Sequence, residues 1–355
     1  MIVGVENPLL DITVSCDEAL LNKYSLEANA AILAGPEHVP LLEEIKQYKD
    51  VLYCAGGATQ NAMRTAQWML GGNSISPRVA YLGCVGNDDN MEKMKASVEQ
   101  VSGVKAVYLV DSTQPTGTCG VLLSSQGKNR SLVANLGAAN HFKKSHLESN
   151  RDSVLSKAAV IYSSGFFITA AADSLDYLSD FVATNKETRP VFCFNLAAPF
   201  ICEVEPFRVV LMRTITYVDY LFGNDAEALA LAKALGWSDI ADNIPAIAQR
   251  LASLEKKGVS ADRKRTVIIT RGADATVAAV QGETTVHEYP IVALKESEIV
   301  DSNGCGDAYA GAFVAGLLLG KSVEECCRAG AYAGHEVIRR SGCTLPDKSA
   351  FQWTQ

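Results

Sequence analysis

From Asn140 to Phe222, segments with helical spacing alternate with short apolar runs, and this constrains the fold more than any other feature of the chain. Helical spacing over 140–150 precedes a strand at Ala159–Ser163. Helix 173–185 precedes strand Val191–Asn195, and helix 206–213 precedes strand Tyr217–Phe222. Strands joined through helices run parallel, and their right-handed crossovers lay helices on both faces of the sheet. Ile2–Val5, Val79–Val85, Val104–Val110 and Thr266–Thr270 read as further strands, helix 240–257 precedes the last of them, and Ala275–Val280 with Thr284–Val292 reads as an edge hairpin. The fold class is therefore α/β with a mostly parallel central sheet. With 355 residues, 48% of them hydrophobic, the chain can bury a sizeable core in one large or two unequal domains.

One stretch breaks the alternation. Cys119–Ser124 and Arg130–Leu136 flank Gln126-Gly127-Lys128-Asn129, a turn with hairpin chemistry. A hairpin is out of place in a parallel sheet and points to a small β-rich lid. Arg130 is then either an ordinary surface residue or a cation able to swing over a phosphate.

The chemistry concentrates in Asp301-Ser302-Asn303-Gly304-Cys305-Gly306-Asp307-Ala308. Ala308, Ala312, Ala315 and Leu319 follow helical spacing, so Gly304-Cys305-Gly306 is a tight turn feeding a helix N-terminus. Unpartnered amides and the helix dipole there favour an anion, most simply a phosphate. Asp307 fits two roles, a helix cap or a base that takes a proton from a hydroxyl attacking the held phosphoryl group. Competing motifs fail. Tyr309 stands where a dinucleotide fingerprint needs glycine, and Gly316–Ser322 is one residue short of a P-loop, with Gly320 better read as a helix stop.

Other polar residues sit at strand ends, where α/β sheets bind ligands. Asn7 and Asp11 flank the mouth of a strand, and Asp11 is either a surface residue or an acceptor for a diol such as ribose. Gly56-Gly57-Ala58-Thr59-Gln60-Asn61 opens a helix whose first turn carries Asn61. Phe167 and Phe200 follow strands and are either core residues or walls for a flat ring. Asn224 and Glu227, three apart at a helix start, form either a capping box or a pair holding water around Mg²⁺.

The formal charge of −8 argues against nucleic acid as a partner. Ten cysteines without a C-x-x-C pair read as reduced and intracellular, and five histidines show no metal spacing. The apolar run Ala308–Leu319 is too short to span a bilayer. No leader or lipidation motif stands before the first strand, so a cytoplasmic protein without membrane contact is expected.

In joint order these motifs resemble the ribokinase-like (PfkB) family of sugar and nucleoside kinases over about Asn7 to Phe351. Asn7–Asp11, Gly56–Asn61, Phe222–Glu227 and Asp301–Asp307 carry the resemblance. Pro115–Cys119, Arg130-Ser131-Leu132 and Ile338–Thr344 point to the family's adenosine-phosphorylating branch. The resemblance implies a three-layer α/β/α sandwich, with 1–11, 56–112 and 138–355 as a large domain and 12–55 and 113–137 as the lid. It implies a monomer, with adenosine as substrate, and transfer of the γ-phosphoryl group of ATP, with Mg²⁺, to a ribose 5′-hydroxyl. On that resemblance Asp307 matches the base and Gly304, Cys305 and Gly306 the anion hole, with Arg130 brought over by the lid. Asp11, Gly57 and Asn61 match ribose contacts. Asn7, Leu33, Cys119, Leu132, Ala134, Phe167 and Phe200 match the nucleoside pocket, where Ala58 replaces a serine of some relatives. Asn303 matches a residue between nucleoside and phosphates, Asn224 and Glu227 (through water) a Mg²⁺ and phosphate site, and Thr270 and Gly272 the ATP site. Cys305 stands where the motif usually has alanine, which leaves the backbone amide unchanged. The alternatives are a kinase for another nucleoside or a sugar, and a catalytically silent binding relative.

Overall fold

The structure, a computed structural model, describes residues 1–126 and 129–354. The strands among them are β1 (Ile2–Val5), β2 (Leu9–Ser15), β3 (Ala31–Leu33), β4 (Leu52–Gly56), β5 (Val79–Gly86), β6 (Lys105–Asp111), β7 (Thr118–Ser124), β8 (Asn129–Asn135), β9 (Val160–Ser164), β10 (Val191–Asn195), β11 (Tyr220–Asn224), β12 (Thr266–Arg271), β13 (Asp274–Val280) and β14 (Val286–Tyr289). Nine of them form one sheet in the order β14-β13-β12-β11-β10-β9-β1-β5-β6. Every pair from β12 through β6 is parallel, and only the pairs β12–β13 and β13–β14, at one end of the sheet, are antiparallel.

Both faces of this sheet are covered, which is why β1 and β5 are apolar at nearly every position and buried throughout. Alternation sorts their side chains. Val3, Val5, Ile161, Phe192, Phe194 and Val267 join helices Ile168–Thr184, Glu205–Ile215 and Ile244–Ala252 in one core. Ile2, Tyr81, Tyr162, Cys193 and Ile268 join helices Ala58–Met69, Cys305–Leu318 and Val323–Ile338 in the other. The expected α/β sandwich is the architecture observed.

A second sheet has the order β3-β8-β7-β2-β4. Ile12 and Val14 of β2 turn to short helices Glu18–Lys23 and Val39–Ile45. The alternate position, Asp11, turns the other way, into the cavity described below. The hairpin strands β7 and β8 pair as expected from Ser124↔Asn129 to Thr118↔Asn135, while Gly127 and Lys128 of the turn lie outside the described residues.

Two helices are shorter than their spacing suggests. In place of 140–150 a 3-10 turn at Gly137–His141 gives way to Lys144–Ser149, because Phe142 adopts an extended ψ of 134°. Helix 240–257 is Ile244–Ala252. Asp242 has φ +62°, Asn243 caps Ala246 N–H, and beyond the C-terminus Arg265 takes the Leu254 and Glu255 carbonyls at 2.7 and 3.0 Å. Gly320 (φ +71°) stops helix Cys305–Leu318, with Lys321 N–H returning to the Gly316 carbonyl at 3.0 Å.

Candidate active site

The carboxyl ends of β1, β10, β11 and β12 open on a cavity of about 610 Å³ whose other wall is the second sheet. At its floor stands the N-terminus of helix Cys305–Leu318. Gly304 adopts the left-handed conformation (φ +75°), and a Cβ there would lie 2.6 Å from Cβ of Cys343, so glycine is required twice over. The first intrahelical bond runs from Ala308 N–H to the Gly304 carbonyl at 2.8 Å, and the amides ahead of it, at Gly306 and Asp307, lie at the anion-attracting end of the helix. A Cβ on Gly306 would meet nothing within 4 Å, so this residue faces open cavity. Buried Asp301 braces the turn, its two carboxylate oxygens each accepting at 2.7 Å from Asn303 N–H and Gly342 N–H. Burial pushes the Cys305 thiol up to about 12, so it carries no thiolate chemistry at neutral pH.

Asp307 lies half-buried in this cavity, and Asn61 Nδ2 donates to its Oδ2 at 3.1 Å. Burial raises its pKa to about 6, against the opposing effects of the Asn61 hydrogen bond and the Arg130 charge. That value suits a group that accepts a proton near neutral pH. Three more carboxyls share the cavity. Glu6, Asp11 and Glu227 are each raised to about 7, chiefly by burial, and the charge of Asp307 raises all three further. Arg130 reaches Asn303 Oδ1 at 3.2 Å, and Asn303 Nδ2 reaches Asp11 Oδ2 at 3.4 Å, so the second sheet and the Asp301–Asp307 turn meet across the cavity.

Asn224 and Glu227 make a complete capping box. Asn224 N–H and Nδ2 donate to the two Glu227 oxygens at 2.9 and 2.8 Å, and Glu227 N–H donates to Asn224 Oδ1 at 2.8 Å. The capping alternative is thus realised, and the Glu227 oxygens retain further acceptor sites on the cavity side. Among the described residues no three His, Cys, Asp or Glu side chains cluster to hold a metal ion directly. Carboxylate oxygens crowded in one cavity fit a hard cation held largely through water, as Mg²⁺ is. Thr270 and Gly272 line the same end, where Gly272 (φ +57°) leaves open space.

At the opposite end, Asn7 Nδ2 donates to the Phe166 carbonyl at 3.0 Å, which leaves Asn7 Oδ1 buried without a partner among the described residues. Leu33, Cys119, Leu132, Ala134 and Phe200 line this end, and Gly57, Ala58 and Asn61 complete it. Phe167 does not. It is fully buried in the core edge-on to Phe142, with ring centroids 5.2 Å apart, and its neighbour Phe166 lines the cavity 6.2 Å from Phe200. Both residues belong to the 3-10 turn Gly165–Phe167, where adjacent side chains point apart, so only one of the two can face the ligand space.

Sequence reasoning assigned no role to Glu6, Arg64, Asp301 or Phe166. A charged residue closing an apolar strand marked Glu6, which accepts Thr59 N–H at 2.8 Å, and an arginine one turn after Asn61 marked Arg64. All the other residues predicted for the site line one cavity.

The pfkB family of carbohydrate kinases matches residues 26–350. Adenosine kinase 1 of Arabidopsis thaliana is 42% identical over 99% of this chain and 97% of its own length. The crystal structure of Anopheles gambiae adenosine kinase in complex with P1,P4-di(adenosine-5) tetraphosphate superposes with a TM-score of 0.90 at 38% identity, over 99% of each chain. Adenosine kinase from Schistosoma mansoni in complex with adenosine and AMP superposes with a TM-score of 0.85 at 30% identity, over 97% of each chain.

Proposed function

The chain belongs to the pfkB family of carbohydrate kinases, and on that premise we propose that it transfers the γ-phosphoryl group of ATP to the 5′-hydroxyl of adenosine, yielding AMP and ADP. The observation that carries this reading is the Asn61-held Asp307 carboxylate on the Gly304–Gly306 helix start, inside one cavity. A bare anion site has no use for a carboxylate at its centre; a transfer site needs a base beside the phosphoryl group.

Asp307 accepts the proton of the 5′-hydroxyl as its oxygen bonds to the γ-phosphorus and the bond from that phosphorus to the bridging oxygen of ADP breaks. The Gly304–Gly306 turn holds the phosphoryl oxygens by backbone amides, which concentrates charge stabilisation where negative charge gathers. Arg130 adds a cation from the second sheet. Asp11, with Gly57 and Asn61, receives the ribose hydroxyls. Asn7, Leu33, Cys119, Leu132, Ala134 and the Phe166–Phe200 pair receive the base. Asn224, Thr270 and Gly272 face the ATP phosphates, and Glu227 with Asn224 would hold Mg²⁺ through water. When bound, that ion neutralises charge on the phosphates.

Residues 12–55 and 113–137 act as a lid on a body made of 1–11, 56–112 and 138–355, closing to expel water from the cavity. The protein works as a cytoplasmic monomer. Ten unpaired thiols suit a reducing compartment, and among the described residues no helix is long and apolar enough to cross a membrane.

The test is AMP and ADP formation with ATP, Mg²⁺ and a panel of adenosine, inosine, guanosine and ribose. Adenosine-dependent formation of equal amounts of AMP and ADP is expected. Preference for ribose or inosine would replace the acceptor, and ATP and adenosine binding without turnover would replace the reaction.

A further inference from the structure

We propose that Arg64 is a positioning residue for the transfer step: its guanidinium fixes the orientation of the Asn61 amide and, through it, of the Asp307 carboxylate. The inference rests on the phosphotransferase reading above.

Arg64 lies one turn beyond Asn61 on helix Ala58–Met69 and is only 5% exposed. Its Nη1 donates to the Ala55 carbonyl at 2.6 Å and to Asn61 Oδ1 at 3.3 Å, and its Nε donates to Ser102 Oγ at 3.1 Å. The guanidinium is thus held by the end of β4, by the segment after helix Asp89–Ala96, and by its own helix. Among the described residues no carboxylate lies within ion-pair distance of it. A buried cation whose hydrogen bonds all go to neutral acceptors is a poor source of stability, since desolvation opposes it and an apolar side chain would fill the space at lower cost. Its contacts point to orientation instead.

An asparagine amide fits its slot in two ways that differ by exchange of oxygen and nitrogen. Guanidinium offers donors only, so the atom facing Arg64 has to be Oδ1. Nδ2 then has to face Asp307, where it donates to Oδ2 at 3.1 Å. Without Arg64 the amide keeps only its bond to Asp307 and loses the anchor on its Oδ1 side. An amide held from one side can tilt, which weakens the hydrogen bond that favours the charged carboxylate and lets that carboxylate swing away from the attacking hydroxyl. Arg64 touches none of the reacting atoms.

Five variants test this: Arg64→Met, Arg64→Lys, Asn61→Ala, and Asn61→Ala combined with each Arg64 change. In Arg64→Met, kcat is expected to fall about 10- to 100-fold, the scale of a misplaced reacting group, while KM for adenosine changes less than about 3-fold. Arg64→Lys, which also presents only donors, restores part of kcat. In the Asn61→Ala background either Arg64 change has little further effect, because its route to Asp307 is already cut. Circular dichroism and thermal unfolding establish that each variant folds. If Arg64→Met does not fold, the Lys variant and its cycle with Asn61→Ala carry the same test. Wild-type kcat in folded Arg64→Met, or effects of the two sites that simply multiply, overturns the role. Wild-type turnover in the same assay tests the phosphotransferase reading separately, so an active wild type with an indifferent Arg64 removes only this inference.

Discussion

Gly311 packs on Ala62 so closely that a Cβ at Gly311 would stand 2.1 Å from the Ala62 carbonyl oxygen. This contact lets helix Cys305–Leu318 lie against helix Ala58–Met69, which brings Asp307 within hydrogen-bond reach of Asn61 although 246 positions separate them. Gly311→Ala should force the helices apart and lower stability by about 1–3 kcal/mol, with loss of turnover. Gly306→Ala should behave oppositely, because its Cβ meets only open cavity. Stability should hold or rise by about 0.5–1 kcal/mol while turnover falls. Urea unfolding beside an AMP-formation assay separates the two; equal destabilisation in both would contradict the geometry.

Asp307→Asn should keep the fold and adenosine binding and lower kcat by about 10²–10⁴-fold, the usual range for loss of a general base. The wild-type profile of kcat/KM should fall on the acid side near pH 6, because the proton acceptor must be ionised and burial has raised it to about 6. A profile flat down to pH 4.5, or a folded Asp307→Asn protein with near wild-type kcat, would remove Asp307 from the proton transfer.

Glu6 offers a stability test. Its carboxyl is raised from 4.5 to about 7 by burial. Between those values the folded protein keeps a proton that the unfolded chain has released, so stability from this group is full below about pH 4.5 and declines as pH rises towards 7. Glu6→Gln still accepts from Thr59 N–H and removes that decline. It should therefore raise the stability of the ligand-free protein at pH 8, by on the order of 2–3 kcal/mol relative to its effect at pH 4.5. Melting temperatures shifted equally at both pH values would mean the carboxyl titrates normally.

Glu227→Gln should leave the helix start intact, since glutamine also closes a capping box. If the carboxylate orders metal-bound water, the variant needs more Mg²⁺ for half-maximal activity at fixed ATP, with adenosine affinity little changed. A superimposable Mg²⁺ titration reduces Glu227 to its cap.

Arg130 reaches Asn303 from the second sheet, which places its charge over the Asp301–Asp307 turn. If its charge acts on the phosphoryl group in transfer, Arg130→Ala should depress kcat more than it weakens adenosine binding measured by calorimetry. Weaker binding with unchanged kcat would move Arg130 into the nucleoside pocket.

Much of this molecule was legible in its sequence. Helix-linked apolar runs leave a parallel sheet as the economical arrangement, and β1, β5 and β9 to β12 follow it. Gly304 and Gly306 marked the tight turn that opens helix Cys305–Leu318. What one segment cannot disclose is contact with a distant one. Nothing near Gly311 mentions Ala62, and nothing near Asn61 mentions Asp307. Choosing Phe166 over Phe167 needed the path of a 3-10 turn. The early end of helix Ile244–Ala252 needed Arg265, which reaches the Leu251 and Ala252 carbonyls that a longer helix would have used. Glu6 and Arg64 are charged residues among apolar neighbours, and the reason for their burial lies in their partners rather than in their surroundings along the chain.

The cavity walls come from two sheets that carry different responsibilities. The helix starts at Asn61, Asn224 and Asp307 belong to the nine-stranded sheet and its coverings, whereas Leu33, Cys119, Leu132 and Ala134 sit on β3, β7 and β8 of the other. On the proposed reading, substitutions at these four positions, unlike one at Arg130 of β8, would reshape the space for the acceptor without moving Asp307 or the helix-start amides. Acceptor choice would then be a separable trait, open to drift or redesign apart from the transfer chemistry.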